Sequence, residues 1–127
     1  MKLDVSLSIA APLAMLALIG GQYASAAPAS PNGETVFRQR CQACHSATAG
    51  QPSRLGPNLA GVVGRKAASL SFNYSPALKK SGVTWSRASL DRYLTAPNRM
   101  VPGTRMTVTL SDNGQRNALI DYLASRK

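Results

Sequence analysis

The sequence predicts a small single-domain all-α protein of about four helices joined by long loops. No stretch of the chain alternates apolar and polar residues for long enough to form a sheet. Short helical patterns are instead bounded by capping residues, prolines and glycines. Both cysteines and the only histidine of the 127 residues fall within the pentapeptide Cys41–His45, which has the spacing of a covalent heme attachment site. We therefore expect the helices to wrap around a heme.

The first helix is predicted to follow a short segment of alanine, proline and serine at residues 27–31. Phe37, Cys41 and Cys44 recur at positions i, i+4 and i+7, so we expect one helix face to present the aromatic ring and both thiols. Residues 46–64 are rich in glycine, proline, serine and alanine, which predicts an irregular loop.

Two shorter helices are predicted in the middle of the chain. One lies between the capping residue Ser75 and the stop at Gly82, with a proline at its first position. The next begins after Thr84 or Ser86 and ends at Pro97. Its apolar stripe consists of Leu90, Tyr93 and Leu94.

The last helix is predicted after a second loop, at residues 98–110. Asp112, with Gln115 three residues later, suggests a capping box at the start of this helix. One apolar face then follows at helical spacing, and we expect it to pack against the rest of the domain. This face consists of Leu119, Tyr122 and Leu123.

The Cys41–His45 motif is predicted to bind heme because two thiols at this spacing can each form a thioether with a porphyrin vinyl group. His45 would then ligate the iron. A zinc site needs four ligands, and the sequence has no further cysteine or histidine. A thioredoxin-like redox pair belongs to a βαβ context that this chain lacks. A structural disulfide is the remaining alternative.

The second axial ligand cannot be a histidine, which leaves methionine sulfur as the soft donor. Met1 and Met15 precede the predicted domain, so the candidates are Met100 and Met106. Met106 follows a turn at residues 102–105 within a long loop, where no helix dictates its direction. Met100 lies nearer the preceding helix and is more simply explained by packing. We predict Met106 as the sixth ligand, which would raise the reduction potential and block the iron from substrates.

Residues 1–26 are predicted to be a secretory signal peptide, which leaves residues 27–127 as the domain. Lys2 precedes an apolar run that reaches Ile19, and an A-x-A cleavage site ends at Ala26. An uncleaved membrane anchor is the alternative, because the apolar run approaches the length of a transmembrane helix. Since this kind of heme attachment is made outside the cytoplasm, the predicted compartment is the bacterial periplasm.

The chain is strongly basic, with a net charge of +10 from 15 basic and five acidic residues. Such a balance predicts acidic partners. Nucleic acid is disfavoured, because the charges are spread singly and no aromatic and basic platform or nucleic-acid motif occurs. We expect charge-steered docking to other proteins, with a merely solvated basic surface as the alternative.

The order and spacing of several motifs resemble the class I c-type cytochromes, close to the branch of mitochondrial cytochrome c and bacterial cytochrome c2. The resemblance covers essentially all of the chain after residue 26. It implies the cytochrome c fold, one covalently bound heme c, and electron transfer in place of enzymatic catalysis. The motifs are Cys41–His45, Gly56–Leu59 with Gly61 and Gly64-Arg65, Phe72–Tyr74, Gly82–Trp85, Tyr93-Leu94 and Pro102–Met106.

The resemblance also implies roles for residues around the two faces of the heme. The carbonyl of Pro57 would accept the proton of the His45 ring nitrogen that does not bind iron, which fixes the tautomer. Tyr74 and Trp85 match positions that donate hydrogen bonds to a heme propionate. Arg65 matches the nearby cation that offsets the propionate charge.

Two further positions belong to the methionine side of the heme by the same resemblance. The hydroxyls of Tyr93 and Thr104 would tune the sulfur and the second propionate.

Phe37 on the first helix, with Leu119 and Tyr122 on the last, matches the crossing of terminal helices that closes this fold. For these three residues the expected role is structural.

Departures from the family pattern affect the interior and the docking surface. Leu78 stands where the mitochondrial branch often has asparagine, so we expect the internal water network to be altered or absent. Asn98 occupies one usually basic position. At the exposed heme edge, several positions that are lysine in the family are arginine in this chain. Arginine forms bidentate carboxylate contacts that lysine cannot, so partner preference should differ. The predicted docking residues at the exposed heme edge are Arg40, Arg54, Arg99 and Arg105.

The leading functional hypothesis is a soluble, monomeric one-electron carrier between larger redox proteins of a respiratory or photosynthetic chain. Its partners would be acidic redox proteins such as a cytochrome bc1-type donor, a terminal oxidase, a reductase, a reaction centre or a dehydrogenase. Membrane contact would then occur only through partner complexes. The alternative is a dedicated electron acceptor of one dehydrogenase, membrane-anchored if residues 1–26 are retained. A third hypothesis, a five-coordinate heme that binds gas or peroxide, requires Met106 to be absent from the iron.

Overall fold

The computed structural model describes residues 29–127, and the predicted signal peptide at residues 1–26 lies outside this range. The described chain is helical and contains no strand, apart from one isolated antiparallel bridge between Lys66 and Thr84. This confirms the predicted all-α class. No helix between residues 29 and 127 has the length and apolar character needed to cross a membrane. The helices are α1 (Gly33–Arg40), α2 (Pro76–Lys80), α3 (Arg87–Thr95), α4 (Pro97–Met100) and α5 (Asn113–Ser125).

The first helix is shorter than predicted, because it ends at Arg40 and the 41–44 segment forms turns. The N–H groups of Cys41 and Gln42 both bond to the Phe37 carbonyl, at 2.8 and 2.9 Å, which ends the regular helical pattern. The expectation that one helix face carries Phe37 and both thiols is therefore wrong. Both cysteines lie on the turns that follow α1, and not on the helix itself.

The other predicted helix starts are confirmed, because each begins at its capping side chain. Ser75 caps α2, and Ser86 rather than Thr84 caps α3. Asp112 caps α5 by accepting a hydrogen bond from the Gln115 N–H at 2.7 Å. Local side-chain chemistry was sufficient to place these starts.

Helix α4 was not predicted, since residues 98–110 were expected to be entirely loop. Pro97 does end α3, but it also occupies the first position of a one-turn helix that reaches Met100. The fixed φ of proline and its missing N–H suit that position. Residues 101–110 then run without regular secondary structure, as expected.

The terminal helices α1 and α5 cross in direct contact, as the family resemblance implied. A Cβ atom on Gly33 would lie 2.0 Å from the Ala118 carbonyl oxygen, so the crossing requires glycine at this position. The rings of Phe37 and Tyr122 pack with their centroids 5.5 Å apart. Leu119 is fully buried between the helices. This crossing and α3, which packs on α5, form one wall of the site described next.

Candidate heme site

A largely apolar cavity of about 480 Å³ lies between the turns that follow α1, helices α3 and α5, and the 101–110 loop. Its apolar walls include side chains from three parts of the chain: Leu59, Val62, Leu90, Leu94, Leu119 and Leu123. The cavity also brings together every residue predicted to bind the cofactor, namely Cys41, Cys44, His45, Pro57, Arg65, Tyr74, Trp85, Tyr93, Thr104 and Met106.

The two thiols lie at the cavity and are free, with Cys41 buried and Cys44 half-buried. Burial raises the pKa of the Cys41 thiol to about 11, although the neighbouring Arg40 acts in the opposite direction. Redox-active C-x-x-C pairs depend on a lowered thiol pKa, so this environment disfavours that alternative. No group of three or more His, Cys, Asp and Glu side chains within residues 29–127 could hold a metal ion, which disfavours a zinc site.

The imidazole of His45 is held in one tautomer. Its Nδ1 lies 2.7 Å from the Pro57 carbonyl oxygen, which can only accept, so Nδ1 carries the proton and Nε2 presents a free lone pair. Burial lowers the pKa of His45, while the hydrogen bond to Pro57 raises it, and burial has the larger effect. A neutral, oriented imidazole is the form that binds a metal.

Gly56 makes room for the His45 ring, and sequence analysis missed this role. A Cβ atom on Gly56 would lie 2.3 Å from Cε1 and 2.8 Å from Nε2 of His45. Gly56 does not have a positive φ, so its lack of a side chain is required by close approach and not by backbone conformation. The Gly56 N–H also donates to the Cys44 carbonyl at 2.8 Å, which fixes the loop against the motif.

We expect Gly56→Ala to displace the His45 ring and to lower the stability of the folded protein by about 1–3 kcal/mol or more. Heme content per chain and the absorption spectrum report ring displacement, and guanidinium unfolding reports stability. Gly114→Ala is the matched control, because Gly114 also lacks a positive φ and a Cβ atom there meets nothing closer than the Asp112 side chain at 3.2 Å. A native spectrum and native stability in Gly56→Ala would contradict this steric role.

The polar part of the cavity contains donors that fit a carboxylate. Tyr74 and Trp85 are buried, and neither the hydroxyl nor the indole N–H bonds to another residue in the 29–127 range. Every polar side-chain atom in that range that is itself fully buried has a partner. The hydroxyl of Tyr74 and the indole N–H of Trp85 are therefore accessible, and both residues line the cavity. The guanidinium of Arg65 donates to the carbonyls of Asn58 and Ala60 at 2.8 Å each. Burial lowers the pKa of Arg65, and Tyr74 opposes this effect.

The two candidate methionines differ in position. Met106 is half-buried and lines the cavity, whereas Met100 packs against the core and does not line it. Near Met106, the Tyr93 hydroxyl and Thr104 Oγ1 lie 2.5 Å apart in a buried hydrogen bond. Burial raises the pKa of Tyr93, while the bond to Thr104 lowers it. Leu78 also lines the cavity, and its expected effect on internal water stays a prediction.

All four predicted docking arginines are exposed, but only Arg40 and Arg105 lie at the cavity edge. Sequence analysis missed an apolar neighbour, because Leu55 at the same edge is 81% exposed. Three of the arginines donate to loop carbonyls: Arg40 to Thr109 at 3.0 Å, Arg54 to Gln42 at 3.2 Å and Arg105 to Asn73 at 2.8 Å. These bonds hold the guanidinium groups close to the protein surface.

Comparison with known proteins identifies the family. The family model for cytochrome c matches residues 30–127. The chain belongs to the cytochrome c family. This cytochrome c is 43% identical over 112 residues to cytochrome c2 of Rhodomicrobium vannielii, which covers 87% of this chain and 89% of that protein. It is 42% identical over 97 residues to cytochrome c2 of Rhodoblastus acidophilus, covering 75% and 90%.

A solved structure is also similar to this cytochrome c. The cytochrome cH from Methylobacterium extorquens matches with a TM-score of 0.69 and 40% identity, covering 74% of this chain and 95% of that one. The protein is a monoheme c-type cytochrome that binds heme c covalently and carries electrons. The cavity fits such a group, since it combines apolar walls, two free thiols, a neutral imidazole and open polar donors.

Proposed function

We propose that this cytochrome c carries single electrons between larger redox proteins in the periplasm, with His45 and Met106 as the iron ligands. The observation that carries the proposal is one cavity lined by both thiols, the oriented His45 imidazole and Met106. Cys41 and Cys44 would form the thioethers. When bound, the heme supplies an iron that cycles between Fe(II) and Fe(III).

The chain's own residues prepare this site for electron transfer. The Pro57 carbonyl holds the Nδ1 proton of His45, so Nε2 stays available to the metal and the imidazole becomes more electron-donating. The apolar walls exclude water, and a low dielectric around a metal disfavours its more highly charged state. This effect of the apolar walls would raise the reduction potential, and a methionine sulfur ligand from Met106 would raise it further.

The polar residues of the cavity would hold the heme carboxylates. Tyr74 and Trp85 have donor groups open to the cavity, and Arg65 lies beside them with a guanidinium that is partly buried. Buried phenol and indole groups usually have a hydrogen-bond partner, and a propionate supplies one. On the methionine side, the hydrogen bond between the Tyr93 and Thr104 hydroxyls would hold both groups near the Met106 sulfur.

The periplasmic location follows from the predicted signal peptide and from the heme chemistry. We propose cleavage after Ala26, which is supported by the start of the family match at residue 30. Formation of thioethers needs both thiols reduced until heme is attached, and dedicated maturation outside the cytoplasm provides this. The domain would then span residues 27–127.

The partners would be acidic redox proteins that dock at the basic rim, defined as Arg40, Arg54, Arg99 and Arg105. All four are exposed, and the exposed Leu55 adds an apolar contact at the cavity edge. Small interfaces with a polar rim suit transient electron-transfer encounters. Charge complementarity raises the association rate more than the affinity.

We expect Arg99→Glu to slow association with an acidic redox partner by roughly tenfold at low salt without changing the heme spectrum. Arg99 is the suitable position because, unlike the other three arginines, it makes neither an ion pair nor a side-chain hydrogen bond within residues 29–127. Stopped-flow electron transfer as a function of ionic strength measures the effect, which should vanish once the Debye length falls well below about 10 Å. Lys127→Glu is the control, since it reverses one positive charge in the same way at another exposed residue. Equal slowing by both variants would contradict a docking role for the basic rim.

A further inference from the structure

A buried arginine outside the cavity, Arg116, lies in the first turn of α5 and makes hydrogen bonds to three parts of the chain. Arg116 as a whole, backbone and side chain together, is only 8% exposed. Nε donates to Asp91 of α3 at 2.8 Å, and one terminal nitrogen donates to the carbonyls of Leu110 and Ser111 at 2.9 and 2.7 Å. The other terminal nitrogen donates to the Asn113 side chain at 3.2 Å. One guanidinium therefore joins α3, α5 and the end of the 101–110 loop.

The loop that carries Met106 has few other attachments near that residue. Within the described chain, none of the backbone N–H groups of residues 105–109 bonds to another backbone carbonyl. Two exposed arginine side chains attach the loop near Met106, since Arg105 donates to the Asn73 carbonyl and Arg40 donates to the Thr109 carbonyl. The first backbone–backbone hydrogen bond after Met106 is at Leu110, which is 3% exposed and donates its N–H to the Leu94 carbonyl at 2.8 Å. The Leu110 carbonyl is held by Arg116. Both backbone polar groups of Leu110 are thus anchored, one by α3 and one by Arg116.

A second ion pair between the same two helices provides an internal comparison. Arg87 of α3 pairs with Asp121 of α5, but the two side chains are 55% and 66% exposed and Arg87 bonds to no residue of the 101–110 loop. The Arg116 side chain is 10% exposed. Exposed pairs contribute little to stability, whereas removal of a buried guanidinium leaves its acceptors unpaired.

We propose that Arg116 is a positioning residue that keeps Met106 at the iron by anchoring Leu110 and Ser111. The proposal rests on the function proposed above, in which Met106 is the sixth ligand. Loss of the guanidinium would leave the carbonyls of Leu110 and Ser111 without their charged donor. Hydrogen bonds from a charged donor are stronger than bonds between neutral groups. The loop would then open more often at its C-terminal end, and Met106 would leave the iron more often.

Cyanide binding to the ferric protein tests this proposal, because cyanide can occupy the sixth position only after the methionine leaves. At saturating cyanide, we expect Arg116→Gln to bind about tenfold faster or more than the wild type. Arg87→Gln should bind at the wild-type rate. To separate loop opening from global loss of stability, the wild type is also measured at the urea concentration that gives it the same unfolding free energy as Arg116→Gln.

Equal cyanide rates for Arg116→Gln and the stability-matched wild type would overturn the proposal. Faster hydrogen exchange of the Leu110 amide in Arg116→Gln, with unchanged exchange in Arg87→Gln, would support it. Should Arg116→Gln fail to fold, Asp91→Asn provides the test, with a smaller acceleration expected because Asp91 is partly exposed. Failure of the proposed ligand is recognised separately, since Met106→Ala would then bind cyanide no faster than the wild type.

Discussion

Replacement of Met106 by alanine is expected to remove the sixth ligand of the iron. The near-infrared charge-transfer band of methionine-ligated ferric heme should disappear, and the iron should bind carbon monoxide and cyanide readily. The reduction potential should fall by on the order of 0.1 V, since axial ligands set heme potentials over about 0.8 V. Absorption spectroscopy and potentiometric titration measure these changes. The expectation follows from the position of Met106 on the cavity, in a loop free of helical constraint.

Met100→Leu is the control for this change, because Met100 is also half-buried but packs against the core away from the cavity. Leucine has a similar volume, and such swaps in a core usually cost less than about 1.5 kcal/mol. The band and the potential should therefore be retained in Met100→Leu. The reverse pattern would assign the ligand to Met100 and would contradict the site described here.

Replacement of both Cys41 and Cys44 by alanine is expected to abolish covalent heme attachment. The single variants should retain one thioether and mature poorly, because each thiol can form only one bond to the porphyrin. Acid–acetone extraction and intact mass under denaturing conditions distinguish the three cases. Gln42→Ala is the matched control, since Gln42 lies between the cysteines and its side chain is exposed. Heme that stays with the doubly substituted polypeptide would contradict the assignment.

Features set by local chemistry were predictable from the sequence. The caps Ser75, Ser86 and Asp112 bond to N–H groups three residues later, so the sequence alone carries the information for these helix starts. The end of α1 was misplaced because the apolar spacing of Phe37, Cys41 and Cys44 also occurs in a helix followed by turns. Helix α4 was missed because a proline that ends one helix can begin another.

Features that depend on distant parts of the chain were not predictable in this way. Gly56 and Gly33 were recognisable as glycines, but the atoms they make room for belong to His45 and Ala118. No sequence pattern distinguishes Arg116 from the other basic residues, and only the folded structure shows that it is buried. The hydrogen bond between His45 and the Pro57 carbonyl was expected solely from the family resemblance, and the structure contains it.

The central claim is that Met106 and His45 hold the iron of a covalently bound heme within one cavity. Proton NMR of the diamagnetic ferrous protein tests it most directly, because a methyl group bound over the face of a heme resonates far upfield of all other protons. We predict one such methyl signal and expect sequence-specific assignment to place it on Met106. Assignment of the shifted methyl to Met100, or the absence of any such methyl in the ferrous protein, would contradict the claim.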